Sequence, residues 1–461
     1  MCFFVDNKSI LDRTFENCND VICLDVELQW DEVDLGRIYF VQEAVVDITL
    51  REIKYGVTDL EKVYEPTEMI SAVMNGSAVL LVKNADYALK IRSKGYPGLG
   101  VVEAKNEQVI RGSNEGFSSS LKTNEVLVRK RIRSPELKIE ENQYGERTQT
   151  TVAFVYMESI VRTELLEEIK KRFEKFKIDG FMDSGVIEQL ISESKFSVFP
   201  QYMTTERPDR AAQFLLEGHV VIIVDNSPVA LVLPVNFSTF LKAADDYFNR
   251  WELVSLERIL RYVAVFLATS LPALYIAIIN FHPEVLPVNL VETFSKAREG
   301  VPYSAIIEVM LMELSFDLIR EAGVRIPGAM GNAIGIVGGL IVGSAAVEAS
   351  IASPIVVIIV AITALCSFTI PNNEFSSAFR LTKYYLIILS AFWGIYGYLF
   401  GIMTLLIHLS GLENFGFAYI GEVRDRDGRD YVYRAPYRML DYRPIFARKE
   451  NRRRMRYEGR K

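Results

Sequence analysis

A glycine-rich stretch in the second half of the chain combines small residues with one carboxylate. Gly331, Gly335, Gly339 and Gly343 stand four residues apart, and Glu348 follows. Small residues at this interval lie on one face of an apolar helix and let a second helix approach closely, which is the main packing device between helices in lipid. The stretch therefore predicts a membrane helix that can pack against identical helices of neighbouring copies and line a central ion path.

The same helix carries candidates for a gate. Rings of apolar side chains close a pore by excluding water, and Ile341 or Val347 could form such a ring. Glu348 would then lie near a mouth of the pore, where a carboxylate favours cations. The alternative is a helix that packs with its glycines inside a single chain, since small residues at this spacing are common in helix bundles. Both roles stay open on these residues alone.

A second chemical signal is an acidic stripe in the segment 303–323. Glu308, Glu313 and Asp317 interrupt an otherwise apolar pattern there. An ionisable residue at membrane depth marks an ion pathway or a counter-ion, because a charge that faces lipid costs roughly 2.5–3.5 kcal/mol or more. The helix therefore turns its stripe toward protein or water, or it lies in the membrane interface with a wetted face.

Signals of catalysis are weak. The three histidines, His219, His282 and His408, are dispersed, and none has a Cys, His or carboxylate at metal-ligand spacing. The four cysteines are too scattered for a disulfide framework, and the sequence contains no G-x-x-x-x-G-K-[ST] phosphate loop. We predict that the protein is not an enzyme and has no catalytic residues, metal or cofactor. The formal net charge of -7 argues against a nucleic-acid partner.

The elements that must position these residues fall into two halves. Residues 1–120 and 121–245 alternate short β-type runs with helical patterns, which predicts a cytoplasmic α/β domain of two subdomains. Long apolar runs dominate 250–420, which predicts an all-helical transmembrane domain and hence a multi-domain membrane protein. Four spans are expected, at 259–280, from 331, at 354–370 and at 384–409; the segment 303–323 would make five.

The segment 421–461 is rich in arginine with interleaved aromatic residues. A basic tail that follows a membrane domain is expected on the cytoplasmic side, where it binds anionic lipid headgroups or a protein partner. We favour lipid headgroups. A second basic run, at 129–133, could contact lipid phosphates or an acidic face of a partner, but most such runs are solvated, and we expect that here.

Several strings resemble blocks of one known family. They include ERPDR (206–210), REAGVRIP (320–327) and GLIVGSAAVEAS (339–350), and the similarity continues in one register from about Phe40 to Tyr419. The chain is thereby similar to the GerA family, the A subunits of nutrient germinant receptors in endospore-forming bacteria.

This resemblance implies a protein of the spore inner membrane whose α/β domain lies on the cytoplasmic side. It also implies a homo-oligomeric, ring-shaped channel for monovalent cations that opens in response to a nutrient. Its partners would be a transporter-like B subunit, which holds the germinant, and a lipoprotein C subunit. The similarity of the glycine-rich helix supports a pore there, with Ile341 and Val347 as gate residues. Two alternatives stay open: an ion-release channel of the SpoVAF branch of the family, and a non-conducting receptor or scaffold.

Overall fold

Two five-stranded antiparallel sheets form the N-terminal half of the chain. The computed structural model describes residues 2–26, 36–41, 60–82, 85–91, 102–325, 339, 341–420 and 429–455. The first sheet has the strand order β1-β2-β4-β5-β3, with β1 Val21–Val26, β2 Gly36–Val41, β3 Leu60–Val63, β4 Ala78–Val82 and β5 Ala88–Ile91. Helices α1 (Cys2–Thr14) and α2 (Pro66–Met74) cover one face of this sheet, which carries Val79 and Leu81.

The second sheet lies between two layers of helices. Its strand order is β10-β12-β11-β9-β8, with β8 Leu137–Tyr144, β9 Thr150–Met157, β10 Met203–Thr205, β11 Val220–Val224 and β12 Ala230–Leu233. A short hairpin, β6 Val102–Glu103 with β7 Glu115–Gly116, precedes it. The helices of this unit are α3 Leu121–Arg131, α4 Thr163–Glu174, α5 Ser184–Ile191, α6 Pro208–Glu217 and α7 Phe237–Leu241. α3 and α6 pack on one face of the sheet, and α4 and α5 pack on the other. The sequence prediction of an α/β N-terminal region is confirmed.

A buried ion pair joins the first sheet to the second unit. Two of the three guanidinium nitrogens of Arg129, Nε and Nη2, donate to the carboxylate of Asp20, at 2.6 and 2.8 Å. Arg129 also donates to the carbonyl of Leu137, and its side chain is fully buried. The expectation that the run 129–133 is solvated is therefore wrong for its first residue, because Asp20 and backbone carbonyls satisfy that charge inside the protein.

Helices dominate the second half of the chain. They are α8 Trp251–Phe281, α9 Val288–Ala297, α10 Ala305–Arg325, α11 over 341–348, α12 Pro354–Phe368 and α13 Asn373–Gly411. In the part of the chain that the structure describes, α8 and α13 are long and apolar enough to cross a membrane, and α12 is a shorter apolar helix. The count of four to five spans stays a prediction.

α13 is a helical hairpin and not one long span. Gly394 interrupts the helix with φ 59° and ψ -136°, a conformation open to glycine. Beyond Gly394 the second arm runs antiparallel to the first, since the hydroxyls of Tyr385 and Thr404 hydrogen-bond to each other at 2.8 Å. The prediction of a single span over 384–409 is therefore wrong. Uniform apolar composition hid the reversal, which depends on one backbone conformation.

The hairpin and α8 pack at one end against the second α/β unit. Phe375, near the start of α13, stacks on Phe240 of α7 with ring centroids 4.9 Å apart. Val265 of α8 and Leu409 of the returning arm lie in the same hydrophobic core. At the opposite end, Phe281 of α8 packs against the turn at Gly394. The helices thus extend away from the α/β domain, and their far end is the end that carries Phe281 and Gly394.

The C-terminal segment is folded against the α/β domain. After the hairpin β13 Glu413–Asn414 and β14 Phe417–Ala418, Phe446 joins the core beneath α4 and α5. Arg454 pairs with Glu217 at 3.1 Å. Phe446 and Arg454 therefore contact protein, not lipid, while lipid binding by the rest of the segment 421–461 stays a prediction. Residues 421–428 and 456–461 lie outside the described residues.

Asp430 ties this segment to the start of the helical half. Its carboxylate lies 2.9 Å from Lys242 Nζ and 2.7 Å from Arg258 Nη1, and the Tyr247 hydroxyl donates to it at 2.7 Å. Burial alone would raise the pKa of Asp430, but the Lys242 and Arg258 cations hold it well below its usual range. The carboxylate is therefore ionised, and its contacts join the α/β domain, α8 and the C-terminal segment.

Glu125 of α3 gives a pH-dependent prediction. Its side chain is fully buried, and burial first and Glu141 next raise its pKa to about 8 from the ordinary 4.5. Below about pH 4.5 both states are protonated; as the pH rises toward 8 the unfolded state ionises first, so stability is lost over that interval. Glu125→Gln should raise the melting temperature of the full chain by a few degrees near pH 8.5 and much less near pH 5. Glu167→Gln, an exposed carboxylate of α4, is the control. A rise of equal size at both pH values would contradict the prediction.

Candidate functional site

A buried ion pair lies between α10 and the first arm of the α13 hairpin. Lys383 Nζ donates to Glu313 Oε2 at 2.5 Å, and the side chains are 5% and 3% exposed. Of the two orientations that the sequence left open for the acidic stripe, the structure has the one in which Glu313 faces protein. The pairing explains how a carboxylate is accommodated in an apolar helix, since an unpaired charge at this depth costs several kcal/mol.

Asp317 extends the same cluster by one turn. The Tyr384 hydroxyl donates to Asp317 Oδ2 at 2.5 Å, and Arg380 Nη1 lies 3.8 Å from Oδ1. Arg320, also on α10, donates to Ser367 Oγ of α12 at 3.3 Å. Tyr384 is thus a hydrogen-bond partner of a half-buried acid.

Glu308 lies apart from this cluster, at the far end of the bundle. Its Oε1 accepts the backbone N–H of Ser353 at 2.5 Å, and Arg298 Nε lies 3.4 Å from Oε2. Ser353 is the N-cap of α12, so the carboxylate lies where the helix dipole favours negative charge. Of the three predicted acidic residues, Glu313 and Asp317 therefore share one site, while Glu308 binds the backbone at the start of α12.

The central cluster has unused hydrogen-bonding capacity. Among the described residues, Glu313 Oε1 and Arg380 Nε are buried without a hydrogen-bond partner. Both residues line a small cavity with Asp317, Thr363 and Ser367. Buried polar atoms are nearly always satisfied, so this cavity is suited to water or a small ion. No group of three His, Cys, Asp or Glu residues in the described ranges is arranged to hold a metal ion.

The two faces of α11 have different surroundings. Gly343 is buried, and a Cβ there would lie 3.2 Å from Val357 of α12; at Gly339 it would lie 3.7 Å from Phe316 of α10. Two of the predicted glycines thus pack inside one chain. Val347, four residues after Gly343, is half-buried. Gly335 lies outside the described residues.

The opposite face of α11 is open. Ile341, Ser344 and Glu348 recur at helical spacing and are exposed, with Ile341 58% accessible. The sequence analysis assigned the glycines and the gate residues to one pore-lining helix. The structure separates them: the glycines serve packing within the chain, and the exposed stripe of Ile341, Ser344 and Glu348 is free of that packing.

Sequence reasoning missed the basic partners of the acidic stripe. These partners are Lys383, which pairs with Glu313, and Arg380, which lies near Asp317. Their position within an apolar segment was the available signal, since a cation inside a membrane helix implies an anion opposite it.

Comparisons with known proteins identify relatives along nearly the whole chain. Residues 10–446 match the sequence model of a family described as Bacillus/Clostridium GerA spore germination protein. Spore germination protein KA of Bacillus subtilis is 37% identical over 411 residues, covering 88% of this chain and 75% of its own. Spore germination protein GerLA of Bacillus cereus is 34% identical over 422 residues, covering 91% and 84%. The membrane protein YfkQ of Bacillus subtilis is 38% identical over 382 residues, covering 82% and 74%.

One solved structure also aligns with this chain. It is the N-terminal domain of the A subunit of the Bacillus megaterium spore germinant receptor GerK3, at 23% identity. The alignment covers 50% of this chain and 95% of that one, with a TM-score of 0.39.

The buried pair predicts a large effect of removing one charge. Lys383→Met leaves Glu313 buried without its cation and should destabilise the detergent-solubilised chain by about 3–5 kcal/mol, seen as a lowered melting temperature. Glu313→Gln combined with Lys383→Met should restore most of the loss, because neither charge then remains.

The control for this prediction is the exposed pair of α9, Lys296 with Glu292 at 2.7 Å. Lys296→Met should leave the melting temperature nearly unchanged, since exposed pairs contribute little. If Lys383→Met were as harmless as Lys296→Met, the Glu313–Lys383 pair would not have the structural role described.

Proposed function

Because the chain belongs to the GerA family of spore germination proteins, we propose that it is the A subunit of a nutrient germinant receptor. In this proposal several copies form a ring that conducts monovalent cations when a nutrient binds. A transporter-like B subunit holds the nutrient, and a lipoprotein C subunit completes the receptor. The relatives named as spore germination proteins support the process, and the helical half of the chain supports a membrane location.

We place the protein in the spore inner membrane with its α/β domain on the cytoplasmic side. The long apolar helix α8 and the apolar hairpin α13 support membrane insertion. Both begin at the α/β domain, so the membrane would lie between that domain and the end that carries Phe281 and Gly394.

The observation that carries the conduction proposal is the open stripe of α11. Ser344 and Glu348 are exposed on a helix whose other face packs against α10 and α12. A carboxylate that faces acyl chains is unfavourable by roughly 2.5 kcal/mol or more, and helices resolve this by facing water or protein. Apposed copies of this stripe would create such surroundings, with Glu348 at a mouth and Ile341 as an apolar constriction.

Gating follows from the contacts of α11. α11 touches α12 at Gly343, and Gly339, two residues before α11, touches α10, so a shift of either neighbouring helix moves Ile341. Nutrient bound to the partner subunit would favour the open ring through its greater affinity for that state. Ile341 is the preferred gate residue because it is exposed, whereas Val347 is half-buried beside the glycine face.

A leak assay tests this proposal. The full chain carrying Ile341→Ala, reconstituted in potassium-loaded liposomes, should release potassium about tenfold faster than the parent chain without any nutrient, because a smaller side chain widens the constriction. Potassium efflux is followed with an ion-selective electrode. Ile358→Ala is the control, since Ile358 of α12 is 57% exposed, as Ile341 is 58%.

Equal efflux from both variants would contradict a gate at Ile341. Efflux absent from every variant, including the parent chain in single-channel recording, would favour a non-conducting scaffold. Nutrient-independent conduction by the parent chain alone would favour an ion-release channel of the kind that needs no germinant-binding partner.

A further inference from the structure

The geometry points to a membrane-inserting loop in the α/β domain. The loop 194–198 connects α5 to the core residue Phe199, and it carries Phe196 at its tip with Lys195 beside it. We infer that Phe196 inserts among the acyl chains of the bilayer leaflet next to the α/β domain, while Lys195 lies at the lipid phosphates. This inference rests on the helical half spanning a bilayer and is independent of ion conduction.

The exposure of Phe196 is unusual. Its side chain is 100% exposed, and Val198, two residues on, is 47% exposed. An apolar aromatic side chain beside a lysine can enter the acyl region of a bilayer while the lysine extends to the headgroups. Exposure alone does not say what covers the loop. The position of the loop beside the helices indicates what covers it.

Two contacts fix the loop at the level of the returning arm of α13. Ser197 Oγ lies 3.0 Å from His408 Nε2, within hydrogen-bond distance. The ring of Phe199 lies 6.2 Å from the His408 ring and 5.4 Å from the ring of Phe379, so the loop is anchored to both arms of the hairpin. The loop tip is therefore level with the turn of α13 that contains His408.

The length of this arm places that turn inside the bilayer. Trp393 and Tyr396 flank the turn at Gly394 and are 59% and 76% exposed, as aromatic residues at a membrane–water interface are. From Gly394 to His408 the helix rises about 21 Å at 1.5 Å per residue. The hydrocarbon core is about 30 Å thick, so its other boundary lies beyond His408, on the side of the α/β domain.

The neighbouring side chains agree with this depth. Leu406 and Ile407, in the same helical turn as His408, are 53% and 61% exposed, as lipid-facing residues would be. A loop at their level meets acyl chains, and the long side chain of Lys195 can extend from there to the headgroups. The occupant of this surface is therefore lipid.

Tryptophan fluorescence of the full chain in lipid nanodiscs tests the inference. Phe196→Trp adds a tryptophan at the loop tip, and its emission is obtained by subtracting that of the parent chain. Lipids brominated near the headgroup end of their acyl chains quench tryptophans within the bilayer. We expect at least about a twofold loss of the added emission, together with a blue shift. The substitution is not expected to disturb folding, because Phe196 makes no buried contact.

Tyr64→Trp is the matched control. Tyr64 follows β3 in the first sheet and is 56% exposed. The first sheet adjoins β8 through the bridge of Cys18 to Ile139, whereas the start of α13 contacts β10 through Asn372 and Met203, four strand spacings or about 19 Å away across the second sheet. Its added emission should be unaffected by brominated lipid.

Unquenched, water-like emission from Phe196→Trp would overturn the inference. Blue-shifted emission that brominated lipid leaves unquenched would also overturn it, because protein and not lipid would then cover the loop. Val198→Trp provides a second probe of the same loop, and quenching there is expected to follow that at position 196.

Discussion

The ion pair between Glu313 and Lys383 is the constraint on which the helical half depends. Each charge is buried, and each would be costly alone, so the two helices that carry them must stay in register. Asp317, Tyr384 and Arg380 continue the same contact along α10 and α13. With α10 fixed in this way, its Phe316 supports α11 at Gly339, and α12 supports α11 at Gly343. The open stripe of α11 is thus positioned by polar contacts on the neighbouring helices.

The α/β domain and the helices form a continuous structure. Phe240, Phe375 and Leu409 share one core, and Asp430 links Lys242 to Arg258 across the same junction. A displacement of the domain relative to the membrane would therefore reach α8 and α13 directly. A loop that enters the bilayer beside His408 would resist such a displacement. This junction is suited to transmit strain between the helices and the α/β domain.

Several features were predictable from local sequence pattern. The short β-type runs indicated the strands, and the acidic stripe with Glu313 indicated a buried or wetted polar site. Lys383, 70 residues away, could not be matched to Glu313, because the pairing depends on how two helices pack. Gly394 reverses α13 through one backbone conformation that uniform apolar composition conceals. Arg454 resembled a lipid-binding residue until its long-range partner Glu217 was placed.

Disulfide formation on α11 in native-like membranes tests most directly whether copies meet along its open stripe. Ser344→Cys should give a covalent dimer on mild oxidation that the parent chain, with its own cysteines, does not give. Gly343→Cys combined with Val357→Cys should crosslink only within one chain, because these positions face each other in the structure. A Ser344→Cys chain that remains monomeric while Gly343→Cys alone forms dimers would contradict the assignment of the two faces and the ion path built on it.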